Sequence, residues 1–354
     1  MRIQRGAGFI KRKHVKNDDR IPRIDSFASE TYEMLKKLSC ILLFVLLLYG
    51  CGSRKGNKAG GADYTIAALK GPSAMGMIRL IDSLGRGSGH SVEVQILNEP
   101  LQVRKMMLDG TADFAILPTT MAAIMYNKGL KYKLIGIPCW GTLYLAGSDT
   151  LVRRWEDLRS RRINVMARGM TPDVMFRHLL VKNGLDPDRD VILDYSFPTH
   201  IDLANAVAAG QAALGILSEP LASLVTLKNR DIRIIFNLET EWSIKEDIEI
   251  TETAFLGSES ILRHESELVE KIIDSYRHSS DWVNQYPDSA AVLIVRYGIL
   301  PDTAVAAHAI PGSNLRFIRA AEVEAEIEDY LNVFYKLNPD IVGGKLPDES
   351  FIYR

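Results

Sequence analysis

An α/β chain folded as two lobes is what this sequence predicts, on three observations. From Asp63 onward short β-rich runs alternate with amphipathic helical patterns, the signature of largely parallel sheets covered by helices. The tract from residue 51 to the end holds about 304 residues, more than one hydrophobic core usually serves. After Thr251 the alternation gives way to helices in surplus, which need a sheet to cover, and the first lobe is the one with unfilled faces. The expected division is residues 63–147 with 250–354 as lobe 1 and 148–249 as lobe 2.

The elements follow in order. Tyr64–Leu69 reads as a strand ending at Gly71-Pro72-Ser73, and Ala74, Met77, Ile78, Ile81 and Leu84 recur at the three- and four-residue spacing of a helix. Strand Val92–Leu97, helix Leu101–Leu108, strand Phe114–Leu117 and helix Thr120–Asn127 continue the pattern, and Tyr132–Ile137 with Thr142–Ala146 complete the first lobe. Strand Ile163–Met166 then leads through Arg168-Gly169-Met170-Thr171-Pro172 into a helix to about Lys182, which Gly184 stops. Strands Val191–Tyr195, Ala213–Leu217 and Ile232–Phe236, with helices near Ile201–Ala209 and Pro220–Lys228, make the second lobe. Thr253–Gly257 is strand-like, and helices are expected over Glu265–Gln285, Ser289–Tyr297, Thr303–His308 and Glu322–Tyr335.

Residues 34–51, MLKKLSCILLFVLLLYGC, resemble a bacterial lipoprotein signal. Lys36 and Lys37 precede an apolar run from about Leu38 to Tyr49, well short of the ~20 residues a membrane-spanning helix needs. Gly50 is small enough for a peptidase, and Cys51 offers a thiol for the lipid. The polar stretch that follows, 51–62, reads as a tether. Since a signal must be N-terminal, translation is expected to start at Met34, leaving residues 1–33 untranslated. A genuine extension there requires the apolar run to stay uncleaved as an anchor.

Cleavage before Cys51 leaves 33 basic against 39 acidic residues, a net charge of −6 that argues against nucleic acid as a partner. Of three cysteines, Cys40 leaves with the signal and Cys51 takes lipid, so Cys139 has no partner for an intramolecular disulfide. No second long apolar run is present, which makes the lipid the expected membrane anchor.

The runs Gly110-Thr111-Ala112-Asp113-Phe114-Ala115-Ile116-Leu117-Pro118 and Asn183-Gly184-Leu185-Asp186-Pro187, the segment Ala206–Ser223, and the tail from Asn338-Pro339 through Gly343-Gly344-Lys345-Leu346-Pro347 to Phe351 resemble substrate-binding proteins of ABC transporters, of the nitrate, sulfonate and thiamine-precursor group. The resemblance implies a type II periplasmic-binding fold: two α/β lobes, two crossover strands, a ligand clamped between them and a C-terminal segment that returns to lobe 1. It also implies a small organic or anionic solute, permease and ATPase subunits as partners, a monomer, and a site of action on the periplasmic face of the inner membrane. Arg168 and Met170 depart from the smaller, serine-rich residues of many relatives.

Ligands of open α/β sheets bind beyond strand C-termini, where helix N-termini present free amides. Gly71, Pro72 and Ser73 occupy such a place, glycine allowing close backbone approach and serine a hydroxyl. Thr119 and Thr120 follow Pro118, one able to cap its helix and the other to meet a ligand. Arg168, Gly169, Met170 and Thr171 open a helix whose positive end, with a hydroxyl and a guanidinium, suits a carboxylate, sulfonate or phosphate; Arg168 can equally extend to solvent. Trp140 can stack on a flat ligand or belong to the core. Glu219 at a strand end can meet a cationic ligand or start its helix. Hinges are expected near Gly147-Ser148 and Glu249–Thr253.

No HExxH, CxxC, Walker-type or GxSxG pattern occurs and the histidines lack ligand spacing, so neither a metal, a cofactor nor catalysis is expected. A ligand sensor coupled to a membrane receptor uses the same clamp and stays open as a reading. A thiamine-precursor synthase would need a cysteine and histidine cluster that this chain lacks.

Overall fold

Runs that are enclosed along nearly their whole length form the central strands of this computed structural model, which describes residues 62–84 and 91–354. The expected translation start, signal, Cys51 and the tether up to residue 61 lie outside the described residues. In chain order the strands are β1 (Tyr64–Leu69), β2 (Val92–Leu97), β3 (Phe114–Pro118), β4 (Tyr132–Cys139), β5 (Leu143–Gly147), β6 (Arg162–Asn164), β7 (Ile192–Asp194), β8 (Leu214–Ser218), β9 (Arg233–Asn237), β10 (Thr253–Ser258) and β11 (Leu315–Arg319). The helices are α1 (Pro72–Gly76), α2 (Ile78–Leu84), α3 (Pro100–Leu108), α4 (Thr119–Asn127), α5 (Thr171–Lys182), α6 (His200–Ala208), α7 (Leu221–Lys228), α8 (Leu238–Glu246), α9 (Glu259–His264), α10 (Ser266–Gln285), α11 (Pro287–Arg296), α12 (Thr303–Gly312) and α13 (Glu324–Leu337).

The strands sort into two sheets. The first has the order β11-β4-β10-β3-β1-β2 and the second β7-β6-β8-β5-β9. In the first, β1 runs parallel to β2 and β3, while β10 returns antiparallel between β3 and β4. In the second, β6 is parallel to β7 and β8, and β5 is antiparallel to both β8 and β9. This is the two-lobe α/β fold of type II periplasmic-binding proteins, with a cleft between the lobes.

The chain crosses between the sheets twice, over 140–142 and over 247–252. That corrects two expectations. Strand β5 does not complete the first lobe; its register with β8, from Leu143 opposite Ser218 to Gly147 opposite Leu214, puts it inside the second sheet. Gly147 is therefore a laddered residue within a strand, and the first crossover lies some seven residues earlier. The alternation of β5 is the same on either sheet, so pattern alone could not assign it.

Three elements escape the sequence pattern. Strand β11, LRFIR, follows a helix that ends in Pro311-Gly312 and alternates too briefly to stand out. Helix α8, LETEWSIKE, is polar almost throughout; it is started by Asn237, whose side chain accepts from the Glu239 and Thr240 N–H groups, and is fastened by fully buried Trp242. Helix α9 is short and capped by Ser258. The single helix expected after β1 is two, broken at Met77.

Packing accounts for the long C-terminal helices. In α10 the buried residues Val269, Ile272, Ile273, Tyr276 and Val283 recur on one face. Tyr276 packs edge-on against Phe255 of β10, at 5.6 Å between ring centres, so α10 covers the first sheet as the helix surplus required. A second aromatic group ties the lobes at the crossovers: Trp242 of α8 stacks on Phe334 of α13 at 5.6 Å.

Candidate interlobe site

Two strand ends bring polar side chains together where the sheets are joined. Beyond the Leu143–Ser218 pair, the Glu219 N–H donates to Thr142 O at 3.0 Å, so Thr142 and Glu219 extend the antiparallel ladder as opposed residues on one face. In the first sheet Pro118 pairs with Thr253, and the Thr119 N–H donates to Glu252 O at 3.0 Å, which opposes Thr119 and Glu252 in the same manner. Thr142 joins the two faces, its Oγ1 donating to Glu252 Oε1 at 2.8 Å. A line of side chains, Glu219, Thr142, Glu252 and Thr119, thus passes from one lobe to the other.

The line is closed in by the C-terminal helices. Tyr144, two residues beyond Thr142 on the same strand face, donates its hydroxyl to Gly312 O at 2.9 Å. A methyl group on Gly312 would come within 2.7 Å of Glu219 Oε1 and 3.0 Å of the Tyr144 hydroxyl, so only glycine lets the end of α12 approach so closely.

The carboxyl groups here are unusually placed. Glu219 is 7 % exposed and accepts from Ser223 Oγ (2.9 Å) and the Ser223 N–H (3.1 Å); burial pushes its pKa up to about 7. Glu239, at the start of α8, is pushed up to about 8 by burial and then by the charges of Glu252 and Glu249, and it accepts from Asn314 Nδ2. Burial also raises Glu252, whose Oε2 is shielded from solvent and has no hydrogen-bond partner. Thr119 is fully buried and its Oγ1 likewise has no partner. Among the described residues no lysine or arginine forms an ion pair with Glu219, Glu239 or Glu252. Arg316 is the cation whose field reaches Glu239, but it is paired to Glu249 at 2.7 Å and lies over the Trp140 ring at 4.3 Å.

Several residues expected at the site meet across the lobes. Thr120 Oγ1 and Thr171 Oγ1 are 2.8 Å apart, one at the start of α4 and the other at the start of α5. Gly71 adopts φ +133°, and a side chain there would touch the ring of Pro220 at 3.8 Å. Ser73 is buried, donating to Thr253 Oγ1 at 3.4 Å while its carbonyl accepts from the Tyr276 hydroxyl at 2.7 Å; Pro72 beside it is half-buried at the first turn of α1.

Others are placed apart from that line. Arg168 and Gly169 are exposed. The Arg168 guanidinium lies over the Tyr195 ring at 5.1 Å, on the second lobe's own surface, and the Gly169 N–H is taken by Asp173 Oδ2 at 2.7 Å. Met170 caps α5 half-buried. Trp140 is buried with its Nε1 donating to Arg316 O at 2.8 Å and one ring face covered by the guanidinium. Sequence reasoning missed Thr142, Tyr144, Glu239, Glu252 and Gly312. The legible signal was Thr251-Glu252-Thr253, an acidic residue between threonines at the mouth of a strand expected to be buried.

The model of a family described as the phosphonate periplasmic substrate-binding protein of ABC transporters matches residues 73–274, a span that contains both crossovers and the whole second lobe. The chain belongs to that family. Its members are substrate-binding proteins and not enzymes, and among the described residues no group of three or more histidine, cysteine or acidic side chains could hold a metal ion. Among solved structures, an ABC transporter protein from Parabacteroides distasonis is 26 % identical with a TM-score of 0.71, covering 83 % of this chain and 99 % of that one. The periplasmic aliphatic sulphonate binding protein SsuA from Escherichia coli shares the fold at 15 % identity and a TM-score of 0.65, over 82 % of this chain and 92 % of its own. YtlA of Bacillus subtilis (strain 168), named as a binding protein, is 23 % identical over 184 residues, 51 % of this chain; the match spans about half the length of that curated relative, 53 %.

Proposed function

We propose that this protein is the extracytoplasmic solute-binding component of an ABC importer, which captures a small solute between its lobes and presents the closed form to a permease driven by ATPase subunits. In this reading it acts as a monomer on the periplasmic face of the inner membrane, held there by lipid on Cys51. The observation that carries the reading is the Thr120–Thr171 contact: hydroxyls from the N-termini of two helices, one in each lobe, touch at 2.8 Å beside polar atoms that have no partner of their own. Family membership supports the same reading. Capture requires only that solute bind the closed form more tightly than the open one.

Cysteines at the two threonine positions test it. Oxidised, the Thr120→Cys/Thr171→Cys protein should be locked shut and should neither take up nor release solute, while the reduced protein binds normally. A solute at ~100 times its dissociation constant should stabilise the unlocked protein by about 2.7 kcal/mol. A locked protein that exchanges solute as fast as the reduced one would sink the clamp. Cys51→Ser should release the protein from the membrane fraction; its retention there would sink the lipid anchor.

A further inference from the structure

We propose that the solute bears a positively charged nitrogen, which lies against Glu252 Oε2 and Thr119 Oγ1 with Glu219 closing on it from the second lobe. The inference rests on the solute-binding reading above and names the chemistry of that site. Three features carry it. First, Glu252 Oε2 and Thr119 Oγ1 are shielded, have no partner, and belong to opposed residues on one face of a ladder. A buried acceptor left without a donor is costly, and a ligand N–H removes that cost. Second, the carboxyl groups come from both lobes: Glu252 precedes β10 of the first sheet and Glu219 follows β8 of the second, with Thr142 linking them through its backbone to Glu219 and its hydroxyl to Glu252. Closure therefore gathers acceptors round a point that neither lobe encloses alone.

The third feature is where the cations are. The groups facing Glu219 are Ser223 of its own helix, Thr142 and Tyr144 of β5 and Gly312 of α12; those facing Glu252 are Thr119, Thr142 and, at longer range, Glu239 of α8, Tyr144, Tyr330 and Cys139. None is basic. His200, which meets Ser218 Oγ at 3.0 Å just before Glu219, has its pKa pushed down to about 4 by burial and so stays neutral. Arg316 is engaged by Glu249, and Arg168 is turned onto Tyr195. The amide of Gly169, part of the expected anion cradle, is occupied by Asp173. An oxyanion such as a phosphonate or sulfonate would meet carboxyl groups with no charge to offset them, whereas a cation would restore the ionised form that burial disfavours.

The test is calorimetric titration of the full chain at about pH 8.5, where Glu219, raised to about 7, is largely ionised. The probes are ethylammonium, putrescine and benzamidinium, their neutral counterparts ethanol, butanediol and benzamide, and the anions ethanesulfonate, methylphosphonate and benzoate. At least one cation should bind about tenfold or more tightly than its neutral counterpart, and Glu252→Gln or Glu219→Gln should weaken it by a similar factor while unfolding cooperatively without solute. Binding should also weaken as the pH falls toward about 6 and Glu219 protonates. No binding by any cation overturns the proposal. Oxyanion binding without cation binding overturns it too, and if the oxidised Thr120→Cys/Thr171→Cys protein refuses that anion, the solute-binding reading stands. Cation binding that survives both Gln substitutions, or the lock, places the cation elsewhere and overturns the proposal.

Discussion

Two carboxyl groups of similar burial show what the crossovers do differently. Asp173, at the start of α5, is 3 % exposed, and it is fully provided for: Arg177 Nε at 3.1 Å, the Tyr195 hydroxyl at 2.6 Å and the Gly169 N–H at 2.7 Å all donate to it. Arg177 in turn reaches Asp188 at 2.8 Å, so charge is balanced within one lobe. Glu219 is 7 % exposed, yet its donors are a serine hydroxyl and an amide. The first arrangement holds a lobe together. Among the described residues, the second leaves a carboxyl with no cation beside it where the lobes meet, and burial there favours its neutral form.

The contrast can be broken from either side. Asp173→Ala should be the most damaging change, costing about 2–3 kcal/mol, because it removes the acceptor shared by the half-buried Arg177 guanidinium, the Tyr195 hydroxyl and the Gly169 N–H; urea unfolding measures it, and a loss under about 1 kcal/mol would deny the network its structural role. Gly312→Ala comes next. Its new methyl group must displace Glu219 Oε1 and the Tyr144 hydroxyl, at an expected cost of about 1–2 kcal/mol and a larger proportional loss in solute affinity than in stability. Equal affinity in the variant would mean that Glu219 is free to move aside.

The pH dependence sharpens the comparison. Glu219 and Glu239 have folded-state values raised to about 7 and about 8 from 4.5, so the folded protein holds protons that the unfolded chain has released. Their contribution to stability is complete below about pH 4.5 and is lost as the pH rises through 7 and 8. His200, lowered to about 4, works in the opposite sense only below about 6.5. Above about pH 6.5, therefore, the protein without solute should lose stability toward pH 9, and Glu219→Gln should remove about 0.8 kcal/mol of that loss. Parallel curves for the two proteins would contradict an uncompensated Glu219. The smallest effect is expected at the surface: Arg319→Ala, which frees the half-exposed Glu270 from its fork, should cost no more than about 1 kcal/mol by thermal unfolding.

How much of this was legible beforehand follows from what each residue must satisfy. Alternation and spacing located β1, β3, β8 and β10 and the long helices because those elements bury continuous apolar faces, as Phe114 and Phe255 do in stacking at 5.5 Å. Thr120, Thr171 and Glu219 could be named because strand ends and helix starts are where ligands meet free polar groups. Thr142 could not, because its meaning lies in a register between strands that are far apart in sequence, and Glu252 left only the trace of an acidic residue between two threonines. Helix α8 was invisible for a related reason: its stability rests on Trp242 finding Phe334 nearly a hundred residues away. Arg168 drew attention for its charge, but that charge is spent on Tyr195 and on the field at Asp188.

The catch between Thr120 and Thr171 joins two neutral hydroxyls, either of which can donate. Such a bond is worth about 1 kcal/mol net, roughly a fivefold bias between shut and open. In the proposed clamp, a catch this light would leave the empty protein free to open and load. A charged bolt in the same position would have kept it closed against incoming cargo, and slowed delivery once the cargo was aboard.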